Sequence, residues 1–488
     1  MQPPPTGVAP PASKAPAGSP SESAFGSSKI PTIGGILAVV IPVALWFAPL
    51  GLEPHIQHAL AITVFMIISW ITEAIDASMT GVIGCFLFWA LGVVPFNIAF
   101  GGFATDTPWF LWGAILFGTM ATKSGLARRI AFLVMRQLGN NYAGILLGLI
   151  ISDFLLTLVV PSGIARVVIM AAIALGLLEA YGMGPGSNIG RGMFIILTYT
   201  ATIFDKMIIA GSASITARGA IVEHGGVDVL WSQWFLAYLP CDLITIFAAW
   251  RVTLWLYPPE KQNLPGGKEY LNAELAKMGG WNTMEIKSLV LMGVALSLWV
   301  TDFLHHISPS LIGLGIGLLA TMPVMRLLTV EDVKKMNYLP VFFVGAALSM
   351  GNVLSNTKTL DLLTDVVFSW MSPLITGVWT STVVLYWFAF VYHMFLASEI
   401  SMLATSIPLL MNFAKEHGLD PLALGMIWTF AAGGKIFIYQ SGVIITGYSY
   451  GYFKSSDMLK MGFALTVVES IILLLLVPLY WPLIGIGI

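Results

Sequence analysis

Residues 142–180 read YAGILLGLIISDFLLTLVVPSGIARVVIMAAIALGLLEA: an apolar run with a small polar island, PSGIAR, at its middle (161–166). One membrane crossing takes about 20 apolar residues. The run is too long for one crossing, and it is interrupted where a helix would be deepest. It fits two short half-helices meeting at a polar tip. A second stretch of this kind, 375–413, carries the tip ASEIS at 397–401. The rest of the chain has the matching character: of 488 residues, 57% are hydrophobic and only 10% charged, which defines a polytopic all-α membrane protein. Eleven further segments are apolar enough to span, near 32–50, 58–75, 79–96, 107–123, 189–210, 231–256, 286–304, 308–325, 338–354, 422–440 and 461–485.

Between these spans the polar segments organise the chain. Residues 1–29 are rich in Pro, Ala, Ser and Gly, with neither an apolar core nor the basic-then-apolar order of a signal peptide, so they read as a disordered tail. Residues 257–285 form a polar linker with a short amphipathic helix around Lys268–Met278, and they separate 30–256 from 286–488. Basic residues cluster at 126–136, in that linker, at 325–335 and at 452–460, which places these loops and the N-terminus on the cytoplasmic side; the inner membrane of a bacterium is the expected location. A net charge of −2 without a long basic run excludes nucleic acid as a partner, and Cys85 and Cys241 make no disulfide framework.

The two halves match weakly but in order. WFLWGAILFGTMATKSGLARRIAFLVM (109–135) parallels LPVFFVGAALSMGNVLSNTKTLDLLTDVV (339–367), and LLTLVVPSGIARVVIMAAI (155–173) parallels HMFLASEISMLATSIPLLM (393–411). TATIFDKMIIAGSASITARG (200–219) parallels TFAAGGKIFIYQSGVIITGY (429–448), which sets Lys206 against Lys435 and Ser212 against Ser441. The number of spans between the copies makes them inverted repeats. Such repeats place a substrate near the midplane between broken helices, whose N-terminal dipoles favour anions.

From residue 30 onward the chain resembles the divalent anion/sodium symporter family of the arsenite-permease/sodium–proton antiporter superfamily, and most of all its branch of citrate/succinate antiporters and plastid 2-oxoglutarate/malate translocators. The resemblance rests on SGLARRIAFLVMRQLG (124–139), VVPSGIAR (159–166), the linker and YGYFKSSDMLKMGF (450–463). It implies eleven transmembrane helices, two re-entrant hairpins, a homodimer, and an elevator-type transporter in which a transport domain moves against a scaffold. It also implies small organic anions, carboxylate-like or sulfonate- or sulfate-like, as substrates. In the family both tips carry Ser-Asn-Thr, which touches substrate carboxylates and helps bind sodium. Here the tips read Ser162-Gly163-Ile164 and Ser398-Glu399-Ile400, and the loops near Ser212 and Ser441 depart as well. The Ser-Asn-Thr at 355–357 aligns with 122–124 and is not a tip.

An ionisable side chain inside a span costs several kcal/mol unless paired or hydrated, so each one is a functional candidate. Lys206 and Lys435 stand where fixed ammonium groups could replace bound sodium, giving sodium-independent exchange or proton coupling; alternatively each snorkels or pairs locally, Lys206 with Asp205. Glu399 has three readings: a salt bridge to Lys435, a titrating proton site, or a contact to a cationic part of the substrate. Arg166 offers a fork to a carboxylate or caps hairpin carbonyls. Asp153, Glu73 and Asp76 read as packing or loop residues, and Trp109, Trp112, Trp231 and Trp234 as an interfacial belt. The competing function is a cation/proton antiporter using Glu399 and Asp205. No zinc, nucleophile-elbow or phosphate-loop motif occurs, so the chain is not read as an enzyme and no cofactor is expected.

Overall fold

The computed structural model describes residues 30–138, 141–160, 162–261, 264–396 and 398–487. The tail expected to be disordered, 1–29, lies outside the described residues, as do the tip residues Pro161 and Ala397. Every regular element among the described residues is helical. The longer helices of the first half are α1 (Ile30–Phe47), α2 (Pro54–Thr72), α3 (Ala77–Ala90), α4 (Asp106–Ser124), α5 (Leu126–Leu138), α6 (Tyr142–Thr157), α7 (Gly163–Ala180), α8 (Asn188–Met207), α9 (Ser212–Ala220) and α10 (Trp231–Leu256). The linker contributes α11 (Gly267–Met278). The second half follows with α12 (Thr283–Val300), α13 (Pro309–Thr321), α14 (Leu339–Asn356), α15 (Thr359–Phe368), α16 (Val378–Met394), α17 (Glu399–Glu416), α18 (Pro421–Ala431), α19 (Gly442–Ser449) and α20 (Ser455–Leu479).

Each apolar segment expected to span contains a helix at its place, and both tip-bearing stretches divide into two helices, α6/α7 and α16/α17. Seven helical stretches have the length and apolarity to cross a membrane, and others, α3, α13 and α18 among them, are shorter. Local chemistry sets these ends. Prolines occupy the first turns of α2, α13 and α18, where the missing N–H costs nothing. Asn141, Ser162, Ser187, Ser398 and Asp420 each accept a backbone N–H of the helix they precede. Away from water such caps are needed, because an unpaired amide in lipid costs several kcal/mol.

Burial sorts the helices. In the stretch Asn188–Gly225, which holds α8 and α9, 94% of the apolar window is buried, against 33% in α10 and α12. The former is core, while the latter pair turn most of their surface outward. Around α8 pack α6, α7, α10 and α19; α9 packs on α17; and α4 lies against α13 and α14. Trp231 and Trp234 are 1% and 0% exposed, so the interfacial belt expected of them is corrected. They are core residues at the start of α10, and the indole of Trp234 donates to the Lys206 carbonyl at 2.7 Å.

The basic helix α5 also has a packing role. Arg129 is buried, places Nε 2.7 Å from Glu285 and donates to the carbonyls of Met278, Gly279 and Gly280 at 3.0–3.3 Å. It thereby caps α11 and joins it to α5 and α12. Removing one partner of a buried ion pair costs about 3–5 kcal/mol because the other charge stays uncompensated. Arg129→Met is therefore expected to lower the detergent melting temperature sharply, and Arg129→Met/Glu285→Gln to restore part of it.

Candidate functional site

The two helix–tip–helix pairs and two broken helices converge at the centre of the bundle. The first break separates α8 from α9 at Ile208–Gly211, and the second separates α18 from α19 at Ala432–Ser441 except for one short turn, Ile438–Gln440. Unwound backbone in a membrane interior needs partners from side chains. Gln440 Oε1 accepts the N–H groups of Ile436 and Phe437, each at 2.8 Å. The Lys206 ammonium donates to the Phe430 carbonyl at 3.0 Å and lies 4.9 Å from the centre of that residue's ring. A methyl group on Gly433 would stand 1.2 Å from Lys206 Nζ, so the ammonium would have to move from its place against the Phe430 carbonyl.

A cavity of about 540 Å³ lies between α4, the start of α14 and the two tips. Ser162, Ile164 and Ala165 line it from the first tip, Ile400 from the second, Ala210 and Ser212 from the first break, and Thr119, Thr122 and Lys123 from α4. Ser398 opens onto an adjoining cavity of about 220 Å³ that shares Ile400, Asn337 and Pro340. Both tip serines are N-caps: Ser162 Oγ accepts the Ala165 N–H at 3.3 Å, and Ser398 Oγ that of Ser401 at 3.1 Å. The positive ends of two 18-residue helices, α7 and α17, thus meet these cavities. Lys123 is the one charged side chain on the larger cavity's wall among the described residues. Asp332 holds it at 2.6 Å. The Lys123 ammonium, with the Thr329 hydroxyl, keeps the Asp332 carboxyl well below the usual carboxylate range.

Behind the tips lie the buried charges. Lys435 Nζ stands 2.9 Å from Glu399 Oε2, off the ideal hydrogen-bond direction, and Glu399 Oε1 has no protein partner. Arg166, fully buried, reaches Asp153 at 3.0 Å and Asp205 at 2.7 Å, and donates to the carbonyls of Val160 and Ala201. Its fork is committed to the protein, and Asp205 is bound to Arg166 rather than to Lys206. Gly163 lets the first tip press onto Asp205 and Val443 of α19, since a Cβ there would come within 2.5 Å of Asp205 Oδ2. Ser441 caps α19.

Of the residues singled out in the sequence, Ser162, Ile164, Ser212 and Ile400 share the large cavity, and Ser398 the small one. Gly163, Arg166, Asp205, Lys206, Glu399, Lys435 and Ser441 lie at or behind the tips and breaks. Sequence reasoning passed over the cavity-lining Thr119, Thr122, Lys123 and Asn337, whose grouping depends on tertiary packing. It also passed over Asp242 and Glu469, both 0% exposed, which a scan for every acid within a predicted span would have found. Asp153, read as a packing residue, is half of an ion pair.

The second break does not fit a sodium ion, and the expectation of one ammonium at each break is corrected, because Lys206 sends its ammonium across to the second. The Phe430 carbonyl is taken by one ammonium, and a second ammonium sits against Glu399. A cation placed at either point would meet a buried positive charge.

Two broken helices and two helix–tip–helix pairs around a cavity define a polytopic membrane protein with an internal site. Residues 29–486 match the family model described as the sodium:sulfate symporter transmembrane region, and the chain belongs to this family of transporters. Over 474 residues it is 24% identical to YflS of Bacillus subtilis, provisionally named a malate transporter, covering 92% of this chain and 96% of that protein. It is 23% identical to the L-tartrate/succinate antiporter of Escherichia coli K12 over 480 residues, 91% of this chain and 96% of that one. Its fold is similar to the YdaH transporter of Alcanivorax borkumensis, whose crystal structure is described as having an unusual topology: TM-score 0.53, 16% identity, 79% of this chain and 88% of that one.

Two outcomes test the buried geometry. Glu399→Gln and Lys435→Met should each destabilise the protein by about 3–5 kcal/mol, and the double variant by clearly less than their sum, measured by thermal unfolding in detergent. Gly433→Ala should be as damaging as Lys206→Met, because the methyl displaces the same ammonium.

Proposed function

We propose that this protein carries small dicarboxylates across the cytoplasmic membrane as a secondary transporter, without sodium. The observation that carries the reading is the 540 Å³ cavity: two helix N-termini, Ser162, Ser212 and the single cation Lys123 suit an anion of a few carbons. The names of the relatives, malate in one case and tartrate and succinate in another, point to the same substrate class. Sulfate-like and sulfonate anions are the competing substrates within the family. Sodium independence is supported by the ammonium groups of Lys206 and Lys435, which both lie at the second break.

In this reading, residues 30–256 and 286–488 are inverted repeats joined by the linker 257–285, each contributing one tip and one broken helix. The helices around α8 and α17 form a transport domain that moves, elevator fashion, against α1–α4 and α12–α14 in a homodimer. The basic loops and the N-terminus face the cytoplasm of the bacterial inner membrane. Binding replaces water on the anion with the tip N–H groups and Lys123, which must leave Asp332. A cation/proton antiporter using Glu399 is disfavoured because that carboxylate is bound to Lys435.

Reconstituted protein preloaded with succinate should exchange it for labelled succinate, malate or tartrate equally well in sodium and in potassium buffers. Absence of exchange for every dicarboxylate overturns the substrate class, and strict sodium dependence overturns the coupling. Lys123→Gln should weaken the apparent affinity roughly tenfold, the equivalent of about 1.4 kcal/mol. Asp332→Asn, which frees the ammonium, should strengthen it.

A further inference from the structure

Two acids that the transport reading does not use lie at the centre of the bundle. Asp242, on α10, is 0% exposed, and neither of its carboxylate oxygens has a hydrogen-bond partner. Glu469, on α20, is also 0% exposed; Tyr386 donates to Oε2 at 3.4 Å, and Oε1 has no partner. An ionised carboxylate in such a place loses its hydration with nothing to replace it. A protonated one has no such debt. Helix α10 packs against both α20 and α8, which brings Glu469 and Lys206 to the neighbourhood of Asp242, with Tyr238 and Cys241 on its own helix. The charges acting on Glu469 are those of Lys206, Lys435 and Glu399, with Tyr386 from α16 and Tyr199 from α8 beside it. His393 of α16, with both ring nitrogens unpartnered, faces Lys435 and Lys206.

The balance of charge then follows from the pairings already described. Lys435 is matched by Glu399, and Arg166 is held by Asp153 and Asp205. That leaves one cation, Lys206, to face two acids. Within this trio one negative charge is uncompensated unless a proton is bound; the Arg166 group, one guanidinium between two acids, carries a further negative charge of its own. Among the described residues, no group of three or more His, Cys, Asp or Glu side chains gathers in a way that would hold a metal ion there instead.

We propose that Asp242 and Glu469 hold one proton between them, with Lys206 balancing the other carboxylate, and that this proton is the coupling ion of the carrier. The proton comes from water and resides as a carboxyl O–H on either acid. Its loss leaves a net charge in the bundle interior, so the loaded and unloaded forms favour different arrangements of α8, α10 and α20. The site itself is independent of the substrate; its coupling role rests on the transport reading above.

Infrared difference spectroscopy of the full-length protein in membranes tests the site without any substrate. At neutral pH the wild type should show the carbonyl band of a protonated carboxylic acid. Asp242→Asn should remove one carboxyl equivalent of that band, and so should Glu469→Gln, because the remaining acid then ionises against Lys206. Lys206→Met should add one equivalent, since both acids must then be protonated. A merely structural role for these side chains predicts no such opposite changes. A wild-type spectrum without the band overturns the proposal even if every variant misfolds, as does a band that disappears on adding sodium, or one left unchanged by both acid substitutions in folded protein. In liposomes, an inward proton gradient should accelerate wild-type succinate uptake severalfold and leave Asp242→Asn and Glu469→Gln unaccelerated while their exchange persists. Gradient acceleration that persists in both variants overturns the coupling role. A wild type that moves no dicarboxylate but shows the expected bands supports the proton site and rejects the substrate reading alone.

Discussion

Backbone that leaves its helix inside a membrane must be met by side chains, and the centre of this molecule is arranged around that requirement. Arg166 takes the Val160 and Ala201 carbonyls, Lys206 that of Phe430, Gln440 the amides of Ile436 and Phe437, and Trp234 the Lys206 carbonyl. Two of these groups, Arg166 and Lys206, are charged and must themselves be balanced; Asp153 and Asp205 do so for Arg166. Part of the buried charge is thus a consequence of breaking two helices.

The pairing also limits what each charge can do. A guanidinium that binds two carboxylates and two carbonyls has little left to offer a ligand, and its fixed geometry joins α6, the first tip and α8 into one piece. Glu399 and Lys435 join the second tip to the second break in the same sense. These contacts hold the first turns of α7 and α17 to the breaks beside them. Apolar Ile164 and Ile400 complete the wall.

The fold was legible in the sequence to the extent that it follows from apolar length and punctuation. The polar islands at 161–166 and 397–401 gave both helix–tip–helix pairs, and Gly/Pro spacing gave the segments around them. Helix α11 was legible for the same reason, in the polar linker. What could not be read was partner choice. Asp205 adjoins Lys206 in the chain, yet a helix turns side chains about 100° per residue, and Asp205 faces Arg166 while Lys206 faces Phe430. Trp231 and Trp234 sit at a helix end, where a belt is the usual reading, but packing buries that end. The cavity wall drawn from α4 and α14 depends on contacts between distant segments, and no local pattern announces Lys123.

The linker helix α11 has a mechanical consequence. Arg128 and Arg129 tie it and its C-terminal cap to α5, while Tyr270 lies so close to Gly176 of α7 that a Cβ there would meet its hydroxyl at 1.9 Å. The helix is flanked by Gly266 and Gly279, both with positive φ, and Gly280 has open space around it. Arg129 also fixes the carbonyls of Met278, Gly279 and Gly280 and the Glu285 carboxylate, so the polar stretch between the halves is packed on both sides and is not a free tether.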